Sequence, residues 1–390
     1  MRMTVAGMMS GTSYDAIDVA VGDFELIGER VVLSPRGLHS TELDDALRGR
    51  IAACLPPHAT TTEQLCQLDT ELGQRFGAAA AEAITRFAPR GADLVVSHGQ
   101  TIFHWIAASR CLGTLQLGAP AWIAAATATT VVSDLRSRDI TNGGQGAPLA
   151  STLDALLLLN DDTRRGSLNL GGIANITVRD RGGRVIAYDI GPASALMDAA
   201  VTELSGARLR MDLDGALAAA GRVDTQVLAH LLDEPYYRLA PPKSTGKELF
   251  NLAYLHDRLG EHGLSGEDLL ATLTELTAQT VATACREHDL QELIVAGGGV
   301  RNPVLMGRIA ELIAPVRVLT FEEVGLPSQA KEAYLFALLG YLSAHGLEGT
   351  IASATGATRG SILGSFTPGK GPLTLPAPWP QPVTSLEIRA

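Results

Sequence analysis

The stretch "VAGMMSGTSYDAIDVAVGDF", Val5 to Phe24, decides how the chain is read. Apolar residues alternate along two runs that flank Ser10, Gly11, Thr12 and Ser13, with Asp15 and Asp18 close behind. A period of two predicts strands, so Met3 to Phe24 reads as a β-hairpin. Reversing a chain needs only one or two Gly or polar residues. A turn that strings Ser, Gly, Thr and Ser together and then adds carboxylates points to a further use.

Working outward, "RVVLSPRGLHST" reads as a third strand, and Thr41 to Cys54 and Thr62 to Ala88 read as helices. "ADLVVSHGQT" is a strand running into a polar turn, where open α/β sheets place ligand groups, and "TLQLGAPAWIAAATA" is a short strand leading to a helix. The same grammar then restarts. "RRGSLNLGGIANITVRD" is strand, Gly-rich turn and strand; "GRVIAYDIGPASALMDAAVTEL" is strand, polar turn and helix; "ELIVAGGGVRNPVLMGRIAEL" is strand, triple glycine and helix. Residue identity between the halves is slight, so the repeat is one of architecture. The expectation is an α/β protein of two similar lobes facing a cleft. Residues 1–130, rejoined by about 355–390, form the first lobe and 131–354 the second. "LPAPWPQPV" near the end is irregular.

The length of 390 residues suits two cores better than one. A hydrophobic share of 46% against 19% charged residues fits a compact enzyme-like chain. A net charge of -11 without a Lys/Arg-rich run argues against a nucleic-acid partner. Cys54, Cys66, Cys111 and Cys285 are scattered without metal-like spacing, which suits a reducing compartment. No signal peptide opens the chain, and the weakly polar "AWIAAATATTVV" is far shorter than the ~20 residues a membrane helix needs. A cytoplasmic location follows, with no membrane partner. The sequence leaves the oligomeric state open, a homodimer included.

Tight Gly/Ser/Thr turns present backbone N–H groups that bind anions, and small side chains let phosphates approach. Asp15 beside phosphates makes sense if Mg²⁺ bridges them, because that ion takes carboxylates, waters and phosphate oxygens together. One such turn is explained equally well by Ser, Thr and Asp capping their own backbone. Recurrence favours the nucleotide: "LGGIAN" at Leu170 to Asn175 and Gly297 to Gly299 also lie at strand ends. "STGKEL" lacks the earlier glycine of a Walker A loop; Thr245 with Glu248 predicts a capping box that starts a helix, while Lys243 or Lys247 remains able to reach a phosphate.

Taken in order, "GMMSGTSYDAID", "SHGQTI", "TLQLG", "SDLRSRDITNGGQGAPL", "LNLGGIANIT", "YDIGPASALMD", "PPKSTGKELFN", "AGGGVRNP" and "AKEAYLFALLG" resemble the motifs of the anhydro-N-acetylmuramic acid kinases. That resemblance implies the actin/hexokinase/Hsp70-like superfamily, with ribonuclease-H-like lobes and an interdomain ATP and sugar cleft. It implies ATP-dependent, Mg²⁺-assisted phosphorylation of O6 of 1,6-anhydro-N-acetylmuramic acid while water opens the anhydro ring. The product is N-acetylmuramic acid 6-phosphate, in peptidoglycan recycling.

By the same resemblance Asp189 in "YDIGPAS" is the catalytic base, and its place at a strand end before Gly-Pro agrees. An Asx-turn or helix cap is the plainer reading of that residue. Gly11, Thr12, Ser13, Tyr14, Asp15, Ala16, Ile17 and Asp18 hold the nucleotide phosphates, with Asp15 the candidate for Mg²⁺. Asn169, Gly171 and Gly172 answer from the other lobe, and Gly297, Gly298 and Gly299 open a helix whose N-terminus faces the ribose or α-phosphate. Tight strand–helix packing explains the triple glycine as well. Arg136 and Arg138 offer guanidinium forks to the lactyl carboxylate, on one side of the chain if the segment is extended. An internal ion pair with Asp134 or Asp139 is the alternative for one of them. Gln100, Thr101 and Glu332 match motifs that border the sugar, and His98 reads as hydrogen-bonded scaffold. Tyr14, Ala16, Ile190, Ala193 and Ser194 depart from the family pattern without removing a catalytic group.

Rival readings remain at this point: a kinase of the same fold acting on another sugar or small carboxylate, and an ATP-switched binding protein. The chain shows neither an appended peptide-binding segment nor a DNA-reading helical domain ahead of Met3.

Overall fold

The computed structural model describes residues 2–107, 110–241, 243–260 and 263–389. It divides into two compact units, Met1–Asn160 with Gly325–Ala390, and Asp161–Val324. In the first, β1 (Arg2–Ser10), β2 (Ala16–Ile27) and β3 (Arg30–Glu42) form an antiparallel meander. On the other side of β1 the sheet continues in parallel with β4 (Leu94–Ala107), whose outer half pairs with β5 (Arg110–Leu117), and with β6 (Val131–Ser133).

Alternation along β2 explains why both faces are covered. Ile17, Val19 and Val21 point into a core with Leu47 and Ile51 of helix Asp45–Cys54 and Leu68, Leu72 and Phe76 of helix Thr62–Phe87. The intervening residues face helix Lys331–Ala344. That helix rests directly on β1: a Cβ at Gly7 would lie 2.2 Å from the carbonyl oxygen of Ala333 and 2.4 Å from the amide of Ala337. Only glycine permits this approach.

The second unit repeats the plan. β7 (Arg165–Leu170), β8 (Ile173–Arg179) and β9 (Val185–Pro192) form an antiparallel meander, and β10 (Glu292–Ala296) and β11 (Arg317–Thr320) extend it in parallel beyond β7. Leu168, Leu170, Ile176 and Val295 share a core with Leu270, Leu273 and Leu276 of helix Gly266–Glu287. The chain then returns to the first unit, where β12 (Ser365–Thr367) pairs with β6 and β13 (Ser385–Ile388) with β3. The two sheets share a central order, β3–β2–β1–β4–β6 in the first and β9–β8–β7–β10–β11 in the second, which is that of ribonuclease-H-like lobes. The α/β class and the architectural repeat stand.

Boundaries and details differ from the sequence expectations. The breaks expected near 130 and 354 lie inside the first unit, because β6 hydrogen-bonds to β4 and helix Lys331–Ala344 packs on β1. Strand pairing, not composition, sets those limits. β4 also does not end at the polar "SHGQT": it kinks at Gly99, which has φ of 72°, and runs on to Ala107. The Pro-rich stretch at 374–384 is irregular as expected. Among the described residues no helix is long and apolar enough to cross a membrane.

Candidate active site

In the first unit the β1–β2 turn closes with the Tyr14 amide donating to the Gly11 carbonyl at 3.0 Å, and Tyr14 sits at φ of 43°. Thr12, Ser13 and Asp15 are exposed, while Gly11, Ala16 and Asp18 are half-buried and Ile17 is in the core. A Cβ at Gly11 would meet nothing closer than the Ser13 Oγ at 3.9 Å, so the protein's own packing leaves that position open. Gln100 lies opposite Ser10 across β1 and β4, and its Nε2 donates to the Gly11 carbonyl at 3.3 Å. The Ser10 and Ser97 hydroxyls and the Gln100 Oε1 are buried without a hydrogen-bond partner among the described residues. Such orphans are costly, and a polar ligand at the C-terminal ends of β1 and β4 would satisfy them. Thr101 is half-buried, its hydroxyl accepting from Gln116 Nε2 at 3.2 Å.

Asp15 and Asp18 part company. Asp15 is exposed and paired with Arg48 at 3.0 Å. Asp18 accepts from the Ser40 hydroxyl at 2.6 Å and lies close enough to Glu332 to influence its charge. Glu332 is exposed as a residue, yet crowding around its carboxyl raises it above the ordinary glutamate value; Lys331 and Arg136 pull it down, and Asp18 pushes it up. The structure therefore groups Asp18, Glu332 and Arg136, and leaves Asp15 with helix Asp45–Cys54.

The arginines are not on an extended segment: Arg136 caps a short helix, Ser137–Thr141, that contains Arg138. Their expected common side is therefore lost. Arg138 is exposed. Arg136 is half-buried and firmly held, with Nε donating to His98 Nε2 at 2.9 Å and Nη1 to the Gly146 carbonyl at 2.6 Å. Neither pairs with Asp134 or Asp139 among the described residues; Asp134 binds Ser137, and Asp139 binds Thr355 and the Gly146 amide. Burial and the neighbouring Arg136 push His98 down to about 3, so its ring is neutral at ordinary pH. It stacks on Phe336 with ring centroids 4.5 Å apart. With Nε2 accepting from Arg136, Nδ1 must carry the proton given to the Gly99 carbonyl at 2.9 Å. The scaffold reading of His98 gains content: it orients an arginine.

In the second unit Asn169, Asn175 and Asp189 stand side by side on β7, β8 and β9. A register shift between Ala174 and Asn175 places a bulge beside Asp189, and bulges re-aim side chains. One carboxylate oxygen, Oδ2, accepts from the Ser244 hydroxyl at 2.8 Å and the Thr245 amide at 2.9 Å. Oδ1 accepts no hydrogen bond among the described residues. Burial raises the Asp189 carboxyl above the ordinary aspartate value; Thr245 and Ser244 hold it down in part, and Glu248 adds to the rise. Half-buried, with one oxygen anchored and one available, Asp189 has the form of a general base.

The segment that binds Asp189 is the one expected to start a helix. Thr245 spends its amide on Asp189, and the helix begins instead at Leu252, capped by the Asn251 side chain. Lys243 is turned inward to the Tyr236 and Tyr237 carbonyls at 3.3 and 3.1 Å, which leaves Lys247, lying over Gly172, as the lysine at the glycine turn. Burial raises the Asp198 carboxyl, and a bond from Ser194 and the nearby Lys247 hold it down. The sequence singles out Ser10 only as part of the first turn and assigns no role to Ser97, Asp198 or Ser244, which lie in the motifs "SHGQTI", "YDIGPASALMD" and "PPKSTGKELFN".

The glycines divide by role. The Gly171 and Gly172 carbonyls accept from the Ser194, Ala193 and Ala195 amides, so they cap helix Ser194–Leu204. Gly297 has φ of 91°, and a Cβ there would lie 2.7 Å from the Leu170 carbonyl oxygen; at Gly299 it would lie 2.7 Å from the Leu170 Cβ. Those two serve close packing on β7, while Gly298 is open. They form a 3₁₀ turn, Gly298–Arg301, and the α-helix starts only at Pro303 under the Asn302 side chain. Its N-terminal amides are already bound, at 3.1 Å each from Val304 and Leu305.

The anhydro-N-acetylmuramic acid kinase family model matches residues 3–369. The anhydro-N-acetylmuramic acid kinase of Streptomyces avermitilis is 55% identical over 96% of this chain and 97% of its own length. That of Streptomyces coelicolor is 52% identical over 99% of both, and that of Rhodococcus erythropolis 51% identical over 94% of both. A solved xylulose kinase from Rhodospirillum rubrum overlays with a TM-score of 0.44 at 13% identity, covering 97% of this chain and 95% of that one. With the motifs in place from β1 to helix Lys331–Ala344 and the match continuous through them, the chain belongs to the anhydro-N-acetylmuramic acid kinase family.

Proposed function

We propose that the chain converts 1,6-anhydro-N-acetylmuramic acid, ATP and water into N-acetylmuramic acid 6-phosphate and ADP, in the cytoplasm, as a step of peptidoglycan recycling. Family membership over residues 3–369 carries this reading, and the half-anchored Asp189 carboxylate supplies the chemistry it needs. Asp189 Oδ1 takes a proton from water as the water oxygen bonds to C1 of the sugar. The C1–O6 bond breaks, and O6 attacks the γ-phosphorus as the bond to ADP opens. In the first unit Arg136 holds the lactyl carboxylate, Glu332, Gln100 and Thr101 border the sugar, and the turn from Gly11 to Asp18 receives phosphates. In the second unit Asn169, Gly171, Gly172 and the open Gly298 are the candidates for nucleotide contacts.

Among the described residues no cluster of three or more metal-ligating side chains exists. Mg²⁺ needs none, since it keeps waters and is held by one or two carboxylates plus phosphates. Asp18, or Asp15 once released from Arg48, fits that role. When bound, the ion neutralises charge on the phosphates.

Two measurements test the proposal. Incubation with Mg-ATP and the anhydro-sugar is expected to give a product heavier by phosphate plus water in mass spectrometry; phosphorylation of only ordinary hexoses would favour another sugar kinase. Gly11→Val is expected to leave the melting temperature unchanged, because the position is open. It should weaken ATP binding roughly tenfold or more, an overpacking cost of about 1–3 kcal/mol. Unchanged affinity by calorimetry would remove the turn from the nucleotide site.

A further inference from the structure

Asp189 is held by more than its own strand. Its amide donates to the Lys243 carbonyl at 3.2 Å, its carbonyl accepts from the Tyr236 hydroxyl at 2.8 Å, and its Oδ2 accepts from Ser244 and Thr245. The Lys243 ammonium pins the same segment from behind, bonded to the Tyr236 and Tyr237 carbonyls and 4.9 Å above the Tyr236 ring. Glu248 folds back over Gly246, where a Cβ would lie 2.3 Å from its Oε2. We propose that Ser244 is a positioning residue of the reaction, fixing which oxygen of Asp189 meets water. This rests on the reading of Asp189 as the base.

Two influences on the Asp189 carboxylate pull in opposite directions. The Ser244 hydroxyl stabilises the ionised carboxylate, and the Glu248 charge opposes it. Other groups around Asp189 are neutral or turned elsewhere. Tyr236 donates to the backbone, Lys243 is bound to carbonyls, Lys247 lies toward Asp198, Tyr188 bonds His288, and Asn175 faces Asp189 from β8. Ser244 is exposed, so its replacement threatens the fold little.

The test is the pH dependence of kcat/KM for the anhydro-sugar, which reports the free enzyme's base. Ser244→Ala should move the acid limb up by about one pH unit, as expected for one of two bonds to a carboxylate. Ser244→Thr should return it. A limb that stays in place in Ser244→Ala, or that Ser244→Thr fails to return, overturns the proposal. Failure of the underlying reading is visible separately, as turnover retained in Asp189→Asn.

Discussion

Asp189→Asn is expected to abolish ring opening and phosphorylation together while ATP affinity stays within twofold of the parent. The amide oxygen can take the place of Oδ2 and accept from Ser244 and Thr245, so the local fold is kept. The amide nitrogen then stands where Oδ1 stood and presents hydrogens to the water, with no lone pair to receive its proton. A general base is worth about 10²- to 10⁴-fold in many enzymes. The loss should reach or pass the upper end of that range, because the anhydro-sugar has no free hydroxyl at C6 until C1–O6 breaks. Single-turnover assays with the anhydro-sugar measure it, and N-acetylmuramic acid, which has its 6-hydroxyl, is the control. Near-normal turnover would move the search to Glu332 and Asp15. The raised Asp189 carboxyl also places the acid limb of kcat above the range of an exposed aspartate, with activity lost as pH falls and the base is protonated.

The elements were legible in the sequence where a strong period met clear punctuation. Val5 to Phe24 shows its hairpin because alternation is unbroken on both sides of the turn, and helix Thr62–Phe87 starts at the residue expected, where the structure adds a Thr61–Gln64 capping box that the sequence reading did not use. The same cap pattern at Thr245 and Glu248 misled, since tertiary structure claimed the Thr245 amide for Asp189. A local rule cannot see a partner 56 residues away. Arg136 and Arg138 show a similar limit. Their spacing put both on one side of a strand, but the helix Ser137–Thr141 separates them, and long-range bonds to His98 and Gly146 select Arg136. The triple glycine suggested an open helix N-terminus; packing on Leu170 and the Asn302 cap account for most of it.

That selection makes a sharper prediction than the spacing did: Arg136→Ala, and not Arg138→Ala, should raise KM for the muramic substrate. Arg136 Nε and Nη1 are fixed, so the guanidinium is already oriented, and the N–H groups of Nη2 with the second one of Nη1 are left for a carboxylate. A lost charge-assisted bond costs on the order of 1.5–3 kcal/mol, roughly ten- to hundredfold in affinity. An analogue without the lactyl carboxylate should bind nearly as well to Arg136→Ala as to the parent, whereas equal losses on both would show that Arg136 reads something else. Arg136→Ala also strips a donor from His98 and from the Gly146 carbonyl, so His98→Gln is the companion variant: it keeps an acceptor for Nε and should recover most of the affinity that His98→Ala loses. Burial lowers Arg136 only to about 10, and His98 stays neutral down to about 3. The arginine is therefore charged and the imidazole uncharged from about pH 5 to 8, and the preference for the carboxylate-bearing sugar should be flat across that range. A preference that rises as pH falls through the ordinary histidine range, about 6.5, would mean that His98 titrates and that the carboxylate is bound by an imidazolium instead.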